Sequence, residues 1–263
     1  MVLFLFLTHL GLGIVFTLVV VSREVGVKFF RFNSGLAAIL IAVALAFRFS
    51  GPEEASSPVA LVALLIAEGA IVVYWATIGR MLASIRPALV LAAVTGGGTA
   101  IVAQALALVV DRPLPMQALT VASFLSSTAL LGGTCTAMSL GHWYLVIPSM
   151  EARHLQSIVK VQIVSMVVRT AIVLAVVAVA ILTWQPGLEP SFRRYIMSVD
   201  GIFFWQRVLF GLAGPAVLSY LTWETAKIRS TQSATGILYV DLFAVMVGEV
   251  LAKYLLLATR VPV

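Results

Sequence analysis

Eight ionisable side chains stand inside long apolar runs of this sequence: His9, Glu68, His142, Arg169, Arg207, Asp241, Glu249 and Lys253. Burying such groups in apolar surroundings is costly, so each is a functional candidate until a structural partner explains it. Titratable groups spaced through apolar helices are a means of delivering protons, and Asp241, Glu249, Glu68 and Arg169 are the candidate relay. The run Gly141-His142-Trp143-Tyr144 gathers an imidazole, an indole and a phenol. Those groups can hydrogen-bond a quinone carbonyl while their rings cover its apolar body, so His142, Trp143 and Tyr144 form one candidate quinone site. His9 and Arg207, together with Glu249, form a second such site or a proton exit. The alternative for the first group is an aromatic belt that includes a histidine.

The elements that must position these groups follow from composition. The chain has 263 residues, of which 61% are hydrophobic and only 11% charged. A water-soluble domain carries about 25% charged residues, so this chain lacks the polar surface to clothe a globule in water and belongs in a bilayer. The formal charge of +6 is then the expected excess of cytoplasmic loops facing anionic lipid, and a nucleic-acid partner has no support. A spanning helix needs about 20 apolar residues. That length predicts an all-α integral-membrane bundle of about eight spans in one domain covering residues 1–263. The spans are Val2–Ser22, Ser34–Phe47, Pro58–Gly79, Pro87–Val110, Met116–Ile147, Ile158–Leu182, Gly201–Trp223 and Ala234–Ala258. The second is short and is expected to extend into Phe29–Phe32; the fifth is over-long. Gly51-Pro52 with Glu53 and Glu54, Asp111-Arg112-Pro113, Pro148, and Gln185-Pro186-Gly187 with Pro190 separate them. An interfacial helix is expected around Pro190–Met197.

Orientation follows from lysine and arginine in the short loops. The odd loops hold nine (Arg23, Lys28, Arg31, Arg80, Arg86, Arg153, Lys160, Lys227, Arg229), while the even loops and the tail hold five (Arg48, Arg112, Arg193, Arg194, Arg260). Nine against five places the odd loops in the cytoplasm and both termini on the other side, as in a bacterial-type plasma membrane. No charged region precedes the first apolar run, so Met1 to Ser22 reads as a retained helix rather than a cleaved signal.

This topology converts position into depth. His142 falls near the cytoplasmic end and Asp241 in the cytoplasmic half, with Glu68 and Arg169 near the midplane. His9, Arg207, Glu249 and Lys253 fall in the outer half. Glu68 is then the acid nearest to Arg169 by depth. Glu249 and Lys253 are i,i+4 in the favourable order and are expected to neutralise one another or to serve the relay. Arg207 has the alternative of snorkelling to the outer interface. His9 and His142 are separated by roughly 15–20 Å along the membrane normal and cannot share one haem. His154 reads as solvated in a charged loop. The single cysteine, Cys135, excludes a protein-held iron–sulfur cluster and a covalent haem, so any redox group would need other ligands.

Two glycine clusters, Gly96-Gly97-Gly98 and Gly132-Gly133, lie inside spans four and five. They either let helices pack closely or break two helices around a transport site. Serine-hydrolase, zinc-protease and phosphate-loop motifs do not occur in the sequence. Tyr74-Trp75, Trp184, Trp205, Tyr220, Trp223 and Tyr254 fall toward span ends as interfacial anchors.

The last span, Ala234-Thr235-Gly236-Ile237-Leu238 followed by Val247-Gly248-Glu249-Val250-Leu251-Ala252-Lys253-Tyr254-Leu255-Leu256, resembles the closing helix of the NrfD/DmsC-type membrane anchors of molybdenum oxidoreductases. Lys253 stands where that family more usually has arginine. The resemblance implies a quinone-reactive subunit of similar length, tied to peripheral redox subunits that carry the metals. The expectation is therefore a membrane subunit of a respiratory-type electron-transfer complex, contacting lipids and redox partners. His142 and Tyr144 would hold the quinone with Asp241 as proton acceptor. A secondary transporter of a small solute or ion, or a non-catalytic scaffold subunit, are the rival readings.

Overall fold

The computed structural model describes residues 1–49, 57–81, 83–147, 151, 153–183 and 191–263. Apolar runs of this length fold as helices in a bilayer because every backbone donor and acceptor must be satisfied within the segment. Ten helices are formed among the described residues: α1 Val2–Leu18, α2 Val27–Phe49, α3 Pro58–Thr77, α4 Arg86–Leu108, α5 Leu114–Val146, α6 Arg153–Leu182, the short α7 Phe192–Ile196, α8 Ile202–Val208, α9 Gly214–Lys227 and α10 Thr231–Thr259. α8 and α9 are joined end to end through a π-helical turn, Leu209–Ala213, into one apolar rod. Seven rods are long and apolar enough to cross a membrane, and α1, at 17 residues, is a shorter apolar helix. The protein is thus an all-α polytopic membrane bundle.

Local chemistry sets the helix ends. Pro58, Pro87, Pro115 and Pro215 sit in the first turns of α3, α4, α5 and α9, where a missing N–H costs nothing. Gly79, at φ +75°, turns the chain out of α3, and Arg86 donates to the Thr77 and Met81 carbonyls left open there. The second span extends through Phe29–Phe32 as expected, starting just after Gly26 at φ +96°. The interfacial helix is the five-residue α7. The separators Gly51-Pro52, Glu53, Glu54, Pro148 and Gln185-Pro186-Gly187 with Pro190 lie outside the described residues, as does the Trp184 anchor.

α5 is the central helix. Two thirds of its most apolar stretch is buried, against one third in α3, α4 and α6. It packs on α1, α4, α6 and α10, while α3 packs on α4 and α2 at the far side. Both glycine clusters lie within unbroken helices, so they do not open the backbone around a midplane site. Gly13 of α1 and Gly132 of α5 instead meet at a crossing where a Cβ on either would collide with the other's backbone. Thr17 seals that crossing through Thr136 Oγ1 at 2.6 Å and the Gly132 carbonyl at 3.2 Å. Gly96 likewise brings α4 against Ala63 and Ala67 of α3.

Candidate functional site

α10 carries the site. Asp241 and Glu249 are eight residues apart, about 12 Å along the axis and roughly on one face. Both carboxyl groups are fully buried. That face is turned into the bundle, and two polar clusters have assembled around it.

The first cluster surrounds Glu249. Arg169 of α6 grips it with two prongs, Nε to Oε1 at 3.0 Å and Nη2 to Oε2 at 3.3 Å. Arg207 of α8 donates from Nη2 to Oε1 at 2.9 Å, and Ser127 of α5 donates to Oε2 at 2.6 Å. Ser127 Oγ also accepts from Lys253 Nζ at 2.9 Å and lies 3.4 Å from His9 Nδ1. Arg169 Nη1 donates to Ser123 Oγ at 2.7 Å, and its Nη2 also reaches the Val263 main-chain oxygen at 3.2 Å. The Lys253 ammonium and the edge of the His9 ring both rest on Phe124, at 4.7 and 4.8 Å. Three cationic side chains therefore share one carboxylate in the interior, with hydroxyls and main-chain oxygens completing their shells. A buried carboxylate stays ionised only when paired and hydrogen-bonded in this way.

The second cluster surrounds Asp241. Its Oδ2 accepts from Gln162 Nε2 of α6 and from Ser219 Oγ of α9, the latter at 3.3 Å. Oδ1 has no hydrogen-bond partner, and no cation pairs with this carboxyl among the described residues. Unlike Glu249, it is a carboxyl held by neutral donors alone, which is the arrangement that lets one group take up and release a proton without breaking an ion pair.

Several expected pairings are replaced. Arg169 pairs with Glu249, not Glu68, because α6 packs on α5 and α9 whereas α3 lies on the opposite side of the bundle. Glu68 is half-buried on α3 and its Oε2 has no partner. Arg207 does not snorkel. It is fully buried, and its guanidinium lies over Gly211 and Gly248, whose missing side chains let the π turn close onto α10. Lys253 reaches Glu249 through Ser127 rather than by direct contact. His154 is not solvated; its Nε2 lies 3.2 Å from Glu24, which Arg153 also pairs at 2.7 Å.

The His142 group is dispersed. His142 is exposed on the outer surface of α5 and shares a 2.9 Å hydrogen bond with Tyr239 of α10. Tyr239 and Asp241 are two residues apart and therefore on nearly opposite faces of α10, so His142 and Asp241 are not brought together. Tyr144 donates to the Glu151 carbonyl and accepts from Leu155 N, tying the end of α5 to the start of α6. Trp143 packs edge-on to Phe29, 5.9 Å between ring centres. By contrast, His9, Arg207 and Glu249 do converge, Arg207 directly on Glu249 and His9 through Ser127. Ser127, Ser123, Gln162 and Ser219 escape a search for ionisable residues. The signal for them was polar side chains inside spans: Ser123, Ser126, Ser127 and Thr128 in one turn and a half of span five, and Gln162 within span six.

Among the described residues no group of three or more histidine, cysteine or acidic side chains is placed to hold a metal ion. A scan against protein-family models, a search of curated proteins and a search of solved structures each return no match to this chain.

Proposed function

We propose that this chain is a membrane subunit of an electron-transfer complex and that its own task is to relay protons for redox partners that hold the metals. The observation that carries the reading is the α10 face on which a cation-free carboxyl, Asp241, and an ion-paired one, Glu249, are buried about 12 Å apart. Quinone chemistry takes up or releases protons with its electrons, and buried acids at successive depths are what such chemistry needs. A quinone arriving from the lipid would meet the exposed His142–Tyr239 pair first. The similarity of α10 to NrfD/DmsC-type closing helices favours the same class. The test is extraction in mild detergent, with mass spectrometry and an absorption spectrum of whatever co-purifies. Stoichiometric redox subunits whose quinone turnover falls in the Asp241→Asn variant support the reading; a colourless homo-oligomer overturns it.

A secondary transporter is the second reading, and one observation favours it. The seventh span carries the π turn Leu209–Ala213 beside the Glu249 cluster, and π turns inside helices are frequent at functional sites. Such a protein would move its solute when reconstituted alone in liposomes.

A further inference from the structure

Ser127 Oγ has one proton to give and two lone pairs to receive. It gives to Glu249 and receives from Lys253, so its remaining lone pair faces His9 Nδ1. That assignment puts the imidazole proton on Nδ1 and leaves Nε2 as a bare acceptor. His9 is fully buried, and Gln104 of α4, 6% exposed, stands within hydrogen-bonding reach of its ring. Neither the ring Nε2 nor the amide has any other partner. Thr8 Oγ1, also buried, is a further orphan. Buried polar atoms without protein partners are rare and mark bound water or a missing ligand.

The same residues point to a way in. Met1, Phe4 and Arg48 line a crevice with Ser57, Ala60 and Gln104, at the end of the bundle where α1 and α3 begin and α2 and α4 finish. On α1, Thr8 and His9 fall three to five residues after Phe4 and Leu5, which continues the crevice-lining stripe one turn deeper. Gln104 is its floor on α4. The cavity measures about 10 Å³, room for about one water molecule and far too little for a quinone ring or lipid chain.

We infer that ordered water occupies this crevice against Gln104, giving the Glu249 cluster, through Gln104 and His9, access to the aqueous phase at that end of the bundle. The water satisfies open polar atoms of Gln104, whose amide in turn faces His9. This rests on the proton-relay reading for its purpose but not for its test.

Synchrotron radiolysis of the full chain in detergent generates hydroxyl radicals from bound water in place, and mass spectrometry reads the oxidised side chains. His9 is expected to be labelled in the parent, and Gln104→Leu should slow that labelling at least about fivefold. Thr8→Val, smaller in its disturbance, should lower it in part. An unlabelled His9 in the parent, or labelling unchanged in both variants, overturns the inference. If His9 is labelled yet Asp241→Asn leaves turnover intact, the water path stands and the relay reading falls.

Discussion

Arg169 and Glu249 form a two-pronged ion pair between α6 and α10 with both side chains out of contact with solvent. In such a setting the cost of losing one partner exceeds the worth of the pair, because the other charge is stranded. Glu249→Gln leaves Arg169, Arg207 and Lys253 facing one another without an anion, and a loss of about 3–5 kcal/mol is expected. Thermal unfolding in detergent should show it as a large fall in melting temperature. Arg207→Met should cost less than Arg169→Met, since Arg169 also holds Ser123 and the Val263 main chain. Equal melting temperatures for Glu249→Gln and the parent would mean that the cluster does not hold the helices together.

Asp241 predicts the opposite balance of stability and function. Asn keeps the shape and an acceptor oxygen for Gln162 and Ser219, so Asp241→Asn should fold with little change in melting temperature. It cannot exchange a proton. Proton-coupled turnover of the intact complex should therefore fall by about tenfold or more, within the range that a proton-transferring side chain contributes. A variant that unfolds and also loses turnover would point to a packing role instead.

The spans were legible because apolar length is a direct physical requirement of the bilayer, and α2 extended into Phe29–Phe32 because Ser34–Phe47 alone is too short to span. The convergence of His9, Arg207 and Glu249 was legible from shared depth. Partner choice was not. Depth ranks Glu68 beside Arg169, but rotation about the helix axis and helix order decide contacts, and those placed Glu249 there. The same loss of azimuth separated His142 from Asp241. The π turn was hidden because Leu209–Ala213 is as apolar as any helix, and its sign is the pair Gly211 and Gly248 on two different spans.

The His142–Tyr239 pair lies on the exposed surface, so its removal disturbs little packing. His142→Ala should change stability by no more than about 1 kcal/mol, the net worth of one such hydrogen bond. If quinone docks there from the lipid, the same variant raises the KM for quinone while Asp241→Asn lowers kcat. Unchanged quinone kinetics in both His142→Ala and Tyr239→Phe would remove this face from the site.

Gly132 and Gly98 make a matched test of how the bundle closes. A methyl group on Gly132 meets the carbonyl and Cα of Gly13, and neither backbone can yield without moving α1 away from α5. That displacement would also pull Thr17 from Thr136 and His9 from Ser127. Gly132→Ala should therefore cost at least about 1–3 kcal/mol, the usual penalty for overpacking, and lower the yield of monodisperse protein. Gly98, in the other glycine cluster, on α4, has nothing within 4 Å of its would-be Cβ. Gly98→Ala should instead stabilise slightly, by about 0.5–1 kcal/mol, because alanine loses less backbone freedom on forming a helix. Melting temperatures that move in the same direction for both variants would show that the α1–α5 crossing is not the close contact on which the Glu249 cluster depends.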